Sequence, residues 1–138
     1  LISIVPSFNL YDVDWPIRTY QAPSPPAKTV FANVEDNRVG VALESLIANG
    51  CIISGSHVQR SVLSPRVRVH SYAQVYDSIL MEGVEIHRSA RIKRAIIDKN
   101  VVIPEGYEIG YDLEGDRKKF VVTPGKVVVV PKGMILEH

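Results

Sequence analysis

A chain of 138 residues, 46% of them hydrophobic, is the size of one domain with a core. Its formal net charge of +1 nominates no nucleic acid, and no apolar run is long enough to span a bilayer, so neither nucleic acid nor membrane is expected as a partner. The single cysteine, Cys51, excludes an internal disulfide, and nothing else asks for an oxidising compartment, so a cytoplasmic location is expected.

The opening Leu1-Ile2-Ser3-Ile4-Val5 starts in mid-pattern, with neither an initiator Met nor a signal peptide, and reads as a cut end of a longer protein. Pro6, Pro16, Pro23, Pro25 and Pro26 rule out a long helix or a central strand over residues 1–28. Within that stretch Tyr11, Trp15 and Tyr20 are expected to pin an irregular arm to the surface. A base- or sugar-stacking role is the sharper alternative, but only Arg18 accompanies the rings. Thr29 to Asn33 and Arg38 to Ala42 flank the turn-forming Glu35-Asp36-Asn37 and read as a hairpin.

From Gly50 to Gly110 the chain repeats itself every 17 residues. Ile52, Val69, Ile86 and Ile103 fall in one column, and Val58, Val75, Ile92 and Ile109 in another. Val62, Ile79 and Ile96 form a third, Leu63, Leu80 and Ile97 a fourth, and Val67, Val84 and Val101 a fifth. Ser61, Ser78 and Ala95 give a column of small residues, and Leu46 stands 17 before Leu63 as a partial first coil. A period this short cannot hold a helix pair. It fits an all-β solenoid whose coils of three short strands stack at the interstrand spacing of about 4.8 Å. A parallel sheet with a filled interior needs such aliphatic columns, each buried member contributing roughly 1.5–3 kcal/mol.

The expected division is an arm and hairpin over 1–45, a parallel β-helix over 46–110, a charged loop and a closing hairpin over 111–135, and a purification-tag remnant over 136–138. The closing hairpin pairs Phe120–Thr123 with Lys126–Val130 across Pro124-Gly125 and should cap or edge the solenoid. Adjacent columns such as Val62 and Leu63 cannot both face inward, because strand side chains alternate. One of the two must therefore form an apolar stripe outside, as docking surfaces do.

Chemistry is sparse. His70 and His87 share a column, whereas His57 lies in another beside Gln74 and Arg91, so three imidazoles do not converge on a metal within one chain. One His as the base of a hexapeptide acyltransferase-like trimer is the alternative function, against polar residues on a solvated face. Cys51, in a column with Arg68, Glu85 and Val102, is no nucleophile, and there is no phosphate-binding glycine loop. Arg60, Asp77 and Arg94 read as a ladder of surface ion pairs. Arg66 and Arg68 flank Val67 and point one way in a strand. With Lys132 folded back towards them, they make a candidate phosphate site.

The residues resemble a known family. Asn9-Leu10-Tyr11-Asp12, Trp15-Pro16-Ile17-Arg18-Thr19-Tyr20 and Gly50-Cys51-Ile52-Ile53-Ser54-Gly55 are its specific segments. Pro25-Pro26-Ala27-Lys28, Ser64 to Ser71, Ala95 to Asp98, Ile103-Pro104-Glu105-Gly106 and Val130 to Met134 extend the match over nearly the whole chain. These are similar to the C-terminal region of bacterial glucose-1-phosphate adenylyltransferases (ADP-glucose pyrophosphorylases). The resemblance implies that the β-helix is left-handed. It implies a regulatory and oligomerisation domain of a nucleotidyltransferase that makes ADP-glucose and pyrophosphate from ATP and glucose 1-phosphate in glycogen or starch synthesis. ATP and Mg²⁺ would belong to a catalytic domain absent from this chain, leaving it no cofactor, metal or catalytic residue and no activity alone. Its implied partners are that domain, the other subunits of a homotetramer, and an anionic effector such as a sugar phosphate or AMP. The family's Arg-Val-Arg falls on Arg66 and Arg68, and its basic residue near the C-terminus on Lys132. A further Arg that some members carry beyond that point has no counterpart here.

Overall fold

The computed structural model describes residues 1–30 and 32–138; Phe31, expected in the first hairpin, lies outside the described residues. After an irregular arm, the chain enters at β1 (Lys28–Val30), detours through the small hairpin β2 (Ala32–Asn33) and β3 (Arg38–Val39), and completes a coil with β4 (Val41–Leu43) and β5 (Leu46–Ile47). The next coil is β6 (Ile52–Ser54), β7 (His57–Gln59) and β8 (Val62–Leu63), and the third is β9 (Arg68–Val69), β10 (Gln74–Tyr76) and β11 (Ile79–Leu80). Then come β12 (Glu85–Ile86), β13 (Arg91–Lys93) and β14 (Ala95–Ile97), followed by β15 (Val102–Ile103) and β16 (Glu108–Ile109). An excursion through α1 (Leu113–Lys119) and β17 (Val121–Val122) precedes β18 (Val128–Val130).

These strands stack into three parallel ladders: β1-β6-β9-β12-β15, β4-β7-β10-β13-β16, and β5-β8-β11-β14-β18 with β17 antiparallel on the outer edge. The molecule is a left-handed parallel β-helix of hexapeptide type. The ladders run past both ends of residues 46–110, since β1 pairs with β6, β4 with β7, and β18 with β14. No helix among the described residues is long and apolar enough to cross a membrane.

The interior is a set of aliphatic columns. Val58, Val75, Ile92 and Ile109 are fully buried, as are Leu80, Ile97, Val69, Ile86 and Ile103. One register differs from the expected period. Ile53, not Ile52, pairs with Val69, and Ile52 pairs with Arg68 on the outer side. From Val41 to Ile53 the offset to the next coil is 16 residues, and from His57 to Ile92 it is 17, with His57 paired to Gln74. The corner His70-Ser71-Tyr72-Ala73 holds one more residue than Ser54-Gly55-Ser56. Leu46 accordingly pairs with Val62 rather than standing over Leu63.

Corners are tight because they repeat a left-handed residue. Arg60, Asp77 and Arg94 at one corner have φ near 48°, and Arg66 and Asn100 at another have φ near 60°. At Gly110, φ is +88° and a Cβ would overlap the carbonyl oxygen of Lys93, so only glycine fits. Buried hydroxyls stitch successive coils. Ser61 Oγ accepts from Ser78 N–H at 3.2 Å and Ser78 Oγ from Ala95 N–H at 3.2 Å, and the same hydroxyls donate to Gln59 O and Tyr76 O.

Two expectations fail. The charged loop is the short helix α1, N-capped by Asp112, whose side chain accepts from Gly115 N–H. Its Asp116 is buried and accepts from Gly110 N–H at 2.8 Å, tying the helix to the last coil. The arm's aromatics do not bury themselves as anchors: Tyr11, Trp15 and Tyr20 are 76%, 75% and 87% exposed, Trp15 meets Phe8 edge-on, and Tyr11 and Tyr20 only line a hollow with Ala48, Asn49 and Pro65 of the coils.

Candidate functional site

The candidate residues lie along one corner of the solenoid, where the third ladder turns into the first. Arg66 sits in the tight turn rather than in a strand, because its left-handed φ of 60° breaks the extended run before β9. Arg66 and Arg68 are both exposed, but they do not project from one continuous strand. The Arg66 guanidinium pairs with Glu82, one coil above. Arg68 lies beside Glu85, whose charge it helps to stabilise.

Lys132 follows β18. Because β18 continues the ladder over β14, Lys132 stands at the level above Lys99, and its backbone N–H donates to Asp98 at 3.3 Å. From Arg66 the corner climbs through Gly83 and Asn100 to Gly133. Three steps of about 4.8 Å put Lys132 roughly 14 Å from the arginine level. The three cations share an edge, spread along the axis instead of meeting at a point. A single phosphate does not span that gap, but a ligand with two separated anionic groups, or one held from a further wall, does.

The neighbouring outer face carries the histidines. His70 and His87 stack one coil apart, with ring centroids 5.1 Å apart. Between them stands Glu85, 2.7 Å from His70 Nε2 and 3.8 Å from His87 Nε2. The His70 hydrogen bond holds the Glu85 carboxyl below its usual range, against a smaller opposing effect of burial. His57 lies on a different face, where its Nε2 meets Gln59 Oε1 at 3.2 Å. Among the described residues no group of three His, Cys, Asp or Glu side chains is arranged to hold a metal ion.

Cys51 is fully buried on the inside, level with Val67, and burial raises its thiol above the ordinary value. That differs from its expected column with Arg68 and follows from the 16-residue offset. Of the ion-pair ladder only Arg60–Asp77 forms, at 2.7 Å; Arg94 instead donates to Gly125 O at 2.8 Å. Glu85 pairs with Arg68, as their shared column implies, whereas Glu82 was missed as the partner of Arg66; the signal was present, since Glu82 stands 16 residues after it.

The third face is apolar outside. Leu63, Leu80 and Ile97 point inward, and Leu46, Val62, Ile79, Ile96 and Val129 stack in register on the outer surface, with Ile79 41% exposed. The expected outer stripe is thus Val62-Ile79-Ile96, extended at both ends.

Comparison with known proteins adds the family. Residues 25–130 match the GlmU-like, C-terminal hexapeptide family. The chain is 53% identical over 137 residues to a glucose-1-phosphate adenylyltransferase of Anaeromyxobacter sp. (strain Fw109-5), which covers 99% of this chain and 33% of the relative. It is 53% identical over 132 residues to the enzyme of that name from Koribacter versatilis, covering 96% and 31%. With that of Bifidobacterium adolescentis it shares 50% over 138 residues, covering 99% and 33%. The chain thus spans about a third of the length of the curated relatives it matches. It belongs to the GlmU-like C-terminal hexapeptide family, in the form that family takes in glucose-1-phosphate adenylyltransferases.

Proposed function

We propose that this chain is the regulatory and oligomerisation domain of a glucose-1-phosphate adenylyltransferase, a nucleotidyltransferase that forms ADP-glucose and pyrophosphate from ATP and glucose 1-phosphate. The observation that carries this reading is identity near 50% along the entire chain to relatives of that name, of which it spans only a third. ATP, Mg²⁺ and the reacting groups belong to the remaining part of the polypeptide, and the segment alone is inactive. A fully buried free thiol suits a reducing cytoplasm.

In this reading the two outer features divide the work. The apolar stripe from Leu46 to Val129 seats the catalytic domain of the same polypeptide. Support comes from the missing two thirds of the relatives' length and from Ile2, which shares a shallow hollow with Val62 and Ile79 at the stripe. Other subunits of a homotetramer complete the assembly. Arg66, Arg68 and Lys132 contribute to an anionic effector site. Arg offers a planar fork that fits phosphate oxygens, and Lys adds a mobile point charge. Their separation along the axis favours an effector with two anionic groups, or one whose second wall is the catalytic domain.

The test compares the segment with the complete polypeptide that carries it, both supplied with ATP, Mg²⁺ and glucose 1-phosphate. ADP-glucose should form only with the complete polypeptide. Product from the segment alone, or none from the complete polypeptide, overturns the reading.

A further inference from the structure

At the corner between the first and second ladders, the hairpin β2–β3 leans out over the coils and leaves a hollow of about 330 Å³. Asn37 and Val39 of the hairpin form one side; Ser56, Tyr72 and the outward His57, Gln74 and Tyr76 form the rest. It lies on a different corner from Arg66 and Lys132 and shares no residue with them.

Three observations define its chemistry. First, Ser56 is only 2% exposed, and its Oγ has no hydrogen-bond partner among the described residues. That hydroxyl sits on the inner side of the coil wall, level with the buried Ala73 and Ala90 above it, and is closed off from the hollow, so the chemistry on offer is that of the outward side chains.

Second, the outward side chains can both donate and accept. His57 Nε2 lies 3.2 Å from Gln59 Oε1, and Nδ1 is its other hydrogen-bonding atom. Gln74 and Asn37 each supply an amide with donors and an acceptor, and Tyr76 supplies a phenol. Among the described residues no Asp, Glu, Lys or Arg lines the hollow. Arg88 stands nearby but lies over the Tyr72 ring, 5.0 Å from its centroid, and Arg38 lies across Gly55 at the rim.

Third, the aromatic surface is angled. The rings of His57 and Tyr76 sit 5.4 Å apart at 39°, which offers an apolar wall but no parallel slot for a flat base. The volume is at the lower end of small-molecule sites, enough for a compact ring and short of a nucleotide.

We propose that this hollow binds a neutral hexose unit, free or as one residue of an oligosaccharide. A hexose presents hydroxyls that both donate and accept around an aliphatic ring. The Asn37 and Gln74 amides, the His57 imidazole, the Tyr76 phenol and an aromatic wall match that pattern. A phosphate ester would bring its charge to a lining without a countercharge, which is unfavourable.

The test uses this chain, uniformly ¹⁵N-labelled, titrated with maltotriose and, separately, with glucose 1-phosphate and inorganic phosphate. Maltotriose should move the amide signals of Ser56, His57, Gln74 and Tyr76 together, with a Kd in the millimolar range, about −4 kcal/mol or weaker. Gln74→Ala and Tyr76→Ala should each weaken it at least about fivefold, and Gln74→Ala, which removes no ring packing, should do so with an unchanged melting temperature. Silence of those signals at about 50 mM maltotriose overturns the proposal, as that excess detects a Kd near 10 mM. Shifts that map to another face, or tighter binding of either phosphate at the same signals, overturn it equally.

Discussion

Ile52 and Ile53 are adjacent, identical in chemistry and opposite in fate, and substituting each by alanine measures the register of the first complete coil. Ile53 is 1% exposed, level with the buried Val69 above and with Thr29 below, whereas Ile52 stands outside beside Arg68. Truncating Ile53 removes three carbons from a filled column. At about 0.8 kcal/mol per buried CH₂ the transfer loss is about 2.4 kcal/mol, and the cavity raises the total to about 3–4 kcal/mol. Truncating Ile52 trims a partly buried side chain on the outer surface, leaves no enclosed cavity, and should cost about 1 kcal/mol or less. Urea unfolding followed by far-ultraviolet circular dichroism reads both. With an m value of about 1.5–2 kcal/mol/M, Ile53→Ala should lower the midpoint by about 2 M and Ile52→Ala by about 0.5 M or less. Equal losses, or the larger loss at Ile52, would refute the 16-residue offset and restore the uniform period.

Ser78→Ala should destabilise the domain by about 1–3 kcal/mol, because Ala95 N–H loses its partner at 3.2 Å in a buried position; urea midpoints check this. Burial raises the Asp116 carboxyl above its ordinary value, an effect larger than the opposing Gly110 hydrogen bond. A group raised on folding stabilises the fold fully below its unfolded value, and that contribution is lost as pH rises through the folded value. Asp116→Asn keeps an acceptor for Gly110 without the charge. Melting temperatures from about pH 3 to pH 7 should therefore show the parent's decline on that limb flattened in the variant, with no loss at neutral pH.

The solenoid was legible because its interior demands the same residue class once per coil, and five columns cannot coincide otherwise. The outer stripe was legible for the same reason: Leu63 and Val62 cannot share a side. The register of the first coil was not, since Ile52-Ile53 offers an aliphatic at either phase and only the extra residue in the His70–Ala73 corner decides between them. Helix α1 hides in a charged run whose main sequence signal is the cap at Asp112, its apolar pattern being reduced to Leu113. At the candidate site, residue types and exposure were readable, but convergence was not. The position of Lys132 depends on where the excursion after Gly110 returns to the ladder, and the returning β18 lands one level above β14. The arm's aromatics read as anchors because rings usually find a surface to cover, and here they remain exposed.

The most direct test of the central claim, that this domain reads an anionic effector for a catalytic site elsewhere in the polypeptide, is the activation curve of the complete enzyme. ADP-glucose formation should be measured against a panel of sugar phosphates, sugar bisphosphates and AMP for the parent, Arg68→Ala and Lys132→Ala. A coupling free energy of about 1–3 kcal/mol predicts that each substitution shifts the half-activating concentration by about 5- to 150-fold while unactivated turnover stays near the parent's. Activation curves that coincide with the parent's, or basal turnover abolished by either substitution, contradict the account.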